Sequence, residues 1–584
     1  MITLHKKQLS LLLSATLLSF ALPVSAADNE KLAKLTITGL SAELKAGLEK
    51  HLPVNQPTCK ASKAEVSDYF ISLKTGFRTG ARALGYYDAE FTSGGKEVDG
   101  CWEITLGVEP GEPVRVVSQF IEVKGAGLNE PEFRKIMAAP PYQQNDILNH
   151  QLYEDFKTSL EETAETLGYL EAGFEQKQVT VDPIAYQASV NLVLNTGPRY
   201  TFGEVIVEQN ILNDDLVKRF VKIKPGTPFS TESVIEQQQI FQRSGYYSRV
   251  TVDVNVKGAK NQQVPVYIKL LPAKRNKYKY TLGYGSDTGA RVKAELDRRW
   301  TGPKGRKFEA AAQVSETLSE LDFELIEPRE NPDSDTLTYL MGFTYDTSND
   351  VDSTSFNFGA NYKRKVDDDW VQELFVNALF DRTQDDGDEP DDSILTLVGG
   401  RLSKTKTNDE NAATTGWKID LELQGALDNV LSDQSIARFE GSGKYIFPVG
   451  KGRLVNRMSV GYTEAGDLED IPKSLRFFAG GADSVRGYDF EDIGTTNDSG
   501  SVIGGKHMLT GSIEYEHPIV DEWSVAFFLD AGDAFNDWDD MDMKYGIGFG
   551  GRYSSPIGPV RVDIGFPEGH TGDATFYLSV GPDL

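Results

Sequence analysis

From residue 277 onward, apolar and polar positions alternate with a period of two. Leu337, Tyr339, Met341, Phe343 and Tyr345 take every second place. Trp417, Ile419, Leu421 and Leu423 alternate with Lys418, Asp420, Glu422 and Gln424, and Val560, Val562, Ile564 and Phe566 alternate with Arg561, Asp563 and Gly565. Period two is the signature of a half-buried strand. An apolar, aromatic face backed by a polar or small one suits a strand between lipid and a wet lumen. Sixteen such strands are predicted, the first near Lys277 and the last near Ala574. Compact turns such as Gly302-Pro303-Lys304-Gly305 alternate with acidic loops such as Asp385–Glu389 and Asp537–Asp540. That asymmetry fits short periplasmic turns and longer outer loops of a transmembrane β-barrel.

Before residue 277 the period is helical. Val66, Tyr69, Phe70, Leu73 and Phe77 make one apolar face, and Leu148, Leu152, Phe156 and Leu160 make another. Three similar strings close helical segments: Ala83-Leu84-Gly85-Tyr86-Tyr87, Thr166-Leu167-Gly168-Tyr169-Leu170 and Arg243-Ser244-Gly245-Tyr246-Tyr247. Each glycine sits where a helix C-cap needs positive φ. Strands open and close each copy, for example Leu35-Thr36-Ile37 and Trp102–Leu106 in the first. The unit reads β-α-α-β-β and occurs three times, over 28–108, 113–197 and 199–273, ahead of a barrel over 277–584. This repeat resembles the polypeptide-transport-associated (POTRA) domain.

Lys6 and Lys7 precede an apolar run, Leu9 to Leu22, and small residues at Val24-Ser25-Ala26-Ala27. This is the pattern of a secretory signal peptide over 1–26, with a membrane anchor as the rival reading. No later stretch approaches a spanning helix, so membrane residence requires a closed barrel. The two cysteines both fall in the first repeat, Cys59 between its helices and Cys101 at its last strand. In an oxidising compartment such a pair is expected to form a disulfide, worth about 3–4 kcal/mol by the chain-entropy model.

Across its 584 residues the chain carries a net charge of −28, which excludes the basic surface that a nucleic-acid binder needs. The six histidines are scattered, and no HExxH, GxxxxGK[ST] or GxSxG occurs. The acidic loops lack EF-hand spacing. No catalytic, cofactor or metal site is expected.

One connection stands apart. About 40 residues separate the strands ending near Gly466 and starting near His507, long enough to suggest function. It contains Arg476-Phe477-Phe478-Ala479-Gly480-Gly481 and Val485-Arg486-Gly487-Tyr488. These strings resemble the sixth loop of the outer-membrane assembly barrels, the superfamily of BamA and the two-partner-secretion transporters. Ser512-Ile513-Glu514-Tyr515, Phe528-Leu529-Asp530-Ala531-Gly532 and Gly550–Asp563 resemble that superfamily's later strands. The resemblance implies that the loop folds back into the barrel and that its arginine pairs with acids on the wall. Arg486, Gly487, Tyr488, Glu514 and Asp530 are the residues so implied.

Three repeats and sixteen strands resemble the TamA branch, the outer-membrane subunits of the translocation and assembly module. That resemblance implies a Gram-negative outer-membrane location with POTRA repeats in the periplasm. It further implies assistance to autotransporters and other β-barrel clients, a TamB-like inner-membrane-anchored partner on the first repeat, and contact with outer-membrane lipids. A two-partner-type secretion pore for a dedicated exoprotein and the outer end of a lipid conduit stay open as alternatives. Where the barrel closes, the first strand, carrying Gly283 and Gly285, must pair with the last, whose end carries Gly581 and Pro582. Proline has no N–H to give and glycine packs nothing, so a weak lateral seam is expected there.

Overall fold

A computed structural model describes residues 32–285, 289–347, 351–366, 369–385, 389–409, 412–498, 500–555, 558–569 and 574–581. The signal segment 1–26, the tip of the acidic loop at 386–388 and Pro582 lie outside the described residues. The chain forms two compact units. One runs through Thr201 and takes in the short segments 226–232 and 259–264; the other holds the rest of the third repeat and the barrel.

The first repeat consists of β1 (Lys34–Thr38), α1 (Ala42–Glu49), α2 (Lys63–Ala83), β2 (Glu90–Val98) and β3 (Cys101–Glu109). Its sheet order is β1-β3-β2, with β1 parallel and β2 antiparallel to β3. Ser62 starts α2 through a reciprocal capping box with Glu65, satisfying two otherwise orphaned N–H groups. Val66, Tyr69, Leu73 and Phe77 of α2 pack on Trp102, Ile104 and Leu106 of β3. Cys59 and Cys101 are disulfide-bonded.

The second repeat has β4 (Arg115–Lys124), α3 (Pro131–Met137), α4 (His150–Thr166), β5 (Gly173–Asp182) and β6 (Gln187–Asn195), in sheet order β4-β6-β5. Its core corrects the expected helix face. Leu152 is 45% exposed and Leu148 precedes the helix, whereas Tyr153, Phe156, Leu160 and Ala164 are buried. Leu152 lies one residue, or 100°, off that stripe. The third repeat has β7 (Thr201–Glu208), α5 (Asp214–Phe220), α6 (Thr231–Arg243), β8 (Tyr247–Val254) and β9 (Gln263–Pro272), in the order β7-β9-β8.

Gly85 and Gly168 link one repeat to the next. Both have positive φ, +90° and +87°. Their carbonyls accept from the N–H groups of Val114 and Tyr200, where the following repeat begins. A Cβ on Gly85 would come within 2.4 Å of Leu148 O, and one on Gly168 within 2.7 Å of Phe229 O. Beside the first of these junctions, Tyr87 Oη lies 2.8 Å from His150 Nε2. Burial pushes the His150 imidazole below its ordinary value, and raises the Tyr87 phenol, so two neutral rings meet.

Sixteen antiparallel strands follow. They are β10 (Asn276–Gly285), β11 (Gly289–Arg298), β12 (Lys307–Val314), β13 (Leu318–Pro328), β14 (Thr336–Asp346), β15 (Val351–Lys365), β16 (Val371–Asp385), β17 (Asp391–Thr407), β18 (Gly416–Ala426), β19 (Ile436–Val449) and β20 (Gly452–Glu464). A two-stranded ribbon, β21 (Thr495–Thr496) and β22 (Val502–Gly504), lies in the long loop. The wall then continues through β23 (His507–Val520), β24 (Trp523–Phe535), β25 (Lys544–Ser555), β26 (Gly558–Pro567) and β27 (Thr575–Val580). Tyr339, Met341, Phe343, Ile513, Phe527, Leu529 and Phe576 are exposed on the outer face, while Ser355, Asp381, Glu514, Asp530 and Asp563 are buried on the inner one. This is the apolar-out, polar-in alternation of a membrane barrel.

Candidate functional site: the lumen and its sixth loop

The alternation that directs Ser512, Glu514 and Glu516 inward from β23 also directs Asp530 from β24, Arg552 from β25 and Asp563 from β26. Loop six brings Arg486 into this group. Its Nε and Nη2 donate to the two oxygens of Asp530 at 2.7 and 2.9 Å, a bidentate fork. Its Nη1 donates to Glu514 at 2.5 Å, and its Nη2 reaches Ser512 Oγ at 3.2 Å. The Arg486 backbone N–H adds a bond to Asp530 at 3.1 Å. The guanidinium lies 3.4 Å from the ring centroid of Phe528, whose face is electron-rich. Arg486 is 2% exposed and Asp530 is fully buried, so each charge depends on the other for solvation.

Sequence reasoning reached Arg486, Glu514 and Asp530, and the structure brings them together. It did not reach the second arginine. Arg552 Nη2 donates to Glu514 at 2.6 Å and its Nη1 to Asp563 at 2.6 Å, while its Nε lies 3.4 Å from Glu516. Arg453 in turn holds Glu516 at 2.6 Å. Three guanidiniums and four carboxylates thus form one chain across β20 and β23–β26. The signal was an inward-phase arginine on a strand whose neighbouring inward positions, Gly546, Gly548 and Gly550, carry no side chain.

Gly546, with Gly565 of β26, makes room for the loop. A Cβ on Gly546 would fall 1.8 Å from Arg486 O, and one on Gly565 would fall 2.5 Å from Gly487 N. Gly487 itself has φ +111° and faces the Phe566 backbone. Its N–H donates to Tyr577 Oη at 2.8 Å, and the Tyr577 hydroxyl donates to Tyr488 O at 2.6 Å.

The first limb of loop six, after β20, is fixed to the other wall. Leu468, Ile471 and Leu475 pack with Leu379, Leu395, Leu397 and Ile436. Lys473, buried, has its ammonium 3.3 Å from Asp346 and its backbone N–H bonded to Thr383 Oγ1. Arg476 donates to the carbonyls of Ile471, Ile503 and Glu469. The loop is therefore held at both walls.

At the barrel's edges, Gly283 pairs with Arg291 and Gly285 with Gly289 in the β10–β11 ladder. Gly581 follows β27, and its N–H bonds to Pro559 O at 3.3 Å. Every neighbouring strand pair from β10 to β27 forms a ladder, but among the described residues none joins β27 to β10. No group of residues suited to a metal ion occurs among the described residues.

Residues 302–583 match the Omp85 superfamily domain. The barrel is an Omp85 superfamily domain. Ahead of this barrel, residues 34–110 match the model described as POTRA domain TamA domain 1, and 200–272 match a POTRA model described as a surface antigen variable number repeat. The outer membrane protein assembly factor BamA of Nitratidesulfovibrio vulgaris is 23% identical over 429 residues, 67% of this chain and 52% of that protein. The chain thus spans about half the length of that relative. The chloroplastic outer envelope protein 80 of Arabidopsis thaliana is 26% identical over 152 residues, 24% of this chain and 18% of that one. A crystal structure of Haemophilus ducreyi BamA lacking POTRA domains 1–3 shares the fold, with a TM-score of 0.64 and 15% identity over 80% of this chain and 98% of that one. The Omp85 barrel lies in the outer membrane, with the POTRA repeats in the periplasm. Since β10 enters from the POTRA side, β20 also runs outward, and loop six opens at the outer face and turns back into the lumen.

Proposed function

We propose that this protein is a non-enzymatic insertase and translocation component that assists autotransporters and other β-barrel proteins into the outer membrane. A TamB-like, periplasm-spanning partner would dock on the first POTRA repeat, whose sheet leaves the edges of β1 and β2 unpaired by its own strands. The observation that carries this reading is the β10–β27 boundary. In a wall otherwise continuously laddered, it leaves, among the described residues, two strand edges whose backbone groups can accept a client strand. Gly283, Gly285, Gly581 and Pro582 are the residues assigned to this lateral seam. Loop six, fastened to both walls, favours assembly at the seam over a secretion pore through the lumen.

Reconstitution tests the reading. The full chain in liposomes of outer-membrane phospholipids should speed the folding of a urea-unfolded autotransporter β-domain several-fold, read as protease resistance and heat-modifiable migration. Equal rates with and without the protein would sink the insertase assignment. Accelerated exchange of fluorescent phospholipid between liposomes, with no effect on client folding, would favour the lipid conduit instead.

A further inference from the structure

The last strand is held in an unusual way. Its ladder with β26 runs for six pairs, from Gly565↔Thr575 to Val560↔Val580. On its other edge no ladder reaches β10 among the described residues. On its inner face, two successive inward side chains reach loop six. Thr575 Oγ1 donates to Gly487 O at 3.3 Å, while Tyr577 Oη accepts from Gly487 N–H and donates to Tyr488 O. Tyr577 is 2% exposed, so its hydroxyl exchanges these bonds with water only if the loop or the strand moves. The residue on the other side of the Gly487 N–H is Arg486, which is fastened to β23 and β24 through Glu514 and Asp530.

We propose that Tyr577, with Thr575, straps the last strand to the loop-six tip, so that unlocking Arg486 and displacing β27 are one coupled event. Among the described residues the last strand is laddered on one edge only, and loop six supplies restraint from the lumen side. Seating the tip stabilises β27 in place; pulling β27 outward at the seam breaks both Tyr577 bonds and frees Gly487, which loosens the Arg486 lock. By linkage the coupling is reciprocal, and factors of about 5–150 are usual for such pairs of sites. Tyr577 is here a positioning residue, and its partner in the event is a strand of this chain. The inference rests on the seam reading above, but it is measured with no client present.

Hydrogen exchange of the full-length protein in lipid nanodiscs provides the test, following the amides of β27 and of the loop-six tip together. Tyr577→Phe keeps the ring and removes only the hydroxyl. It should raise exchange about tenfold at 576–580 and also at 485–488, with exchange in β14–β16 and the heat-modifiable migration unchanged. Arg486→Lys, which alters a side chain that bonds to β23, β24 and β26 but has no bond to β27, should raise exchange in β27 as well. The double variant should exceed neither single by much, because both break one unit. Deprotection of the loop alone in Arg486→Lys, or an unchanged β27 in Tyr577→Phe, overturns the strap. Additive effects in the double variant also overturn it. Failure of the seam reading shows elsewhere, as client assembly that persists with the seam covalently closed.

Discussion

At the scale of single residues, the lumen is organised by charges that cannot be solvated by water. Asp530 is fully buried and receives three donors from one residue, Arg486. Glu514 is shared between Arg486 and Arg552, so losing one guanidinium leaves it the other. Arg486→Ala therefore isolates Asp530 far more than Glu514. Removing one partner of a buried pair costs about 3–5 kcal/mol. The expected outcome is an inserted barrel whose loop six is cut by external protease and whose client assembly falls at least severalfold. Arg486→Lys should recover only part of that activity, because an ammonium cannot make the planar fork on Asp530. Wild-type protease resistance and activity in Arg486→Ala would show the lock to be dispensable. Arg486, Glu514 and Asp530 were legible beforehand because strand phase and the loop strings both pointed to them. Arg552 and Tyr577 were not: Arg552 meets Glu514 from two strands away, 38 residues off in sequence, and Tyr577 meets Gly487, 90 residues off, only where the loop has reached a particular depth in the lumen.

At the scale of elements, period-two alternation gave the sixteen barrel strands and placed the starts of the first and last within one residue, because each strand is solvated differently on its two faces. The departures are informative. Leu395 and Leu397 face inward although Ile394 and Val398 face lipid, which makes β17 apolar on both sides over that stretch. This doubled pattern marks where the loop-six limb packs, and it is readable only by someone who already expects a loop inside the barrel. In the repeats, the Gly-Tyr strings were legible as helix ends but not as joints between repeats. A side chain at Gly85 meets a backbone carbonyl that has no room to retreat, and left-handed backbone costs a non-glycine residue about 1–2 kcal/mol as well. Gly85→Ala should raise amide exchange at Val114 and around Leu148 while leaving the Val190–Leu194 core of β6 protected. Unchanged exchange at Val114 would show that the junction tolerates the side chain.

At the scale of the molecule, the sheet of sixteen strands presents, among the described residues, an unladdered boundary between β10 and β27, with the loop-six tip bonded to β27 beside it. The central claim is that clients enter the membrane through this boundary. Cysteine pairs should be introduced one on each side, across positions 278–283 and 576–580, in a C59S and C101S background shown to be active. A pair that forms its crosslink fully should abolish assembly of an autotransporter β-domain in the oxidised state, and reductant should restore it to the level of the uncrosslinked protein. Full assembly with the seam completely crosslinked would contradict the account.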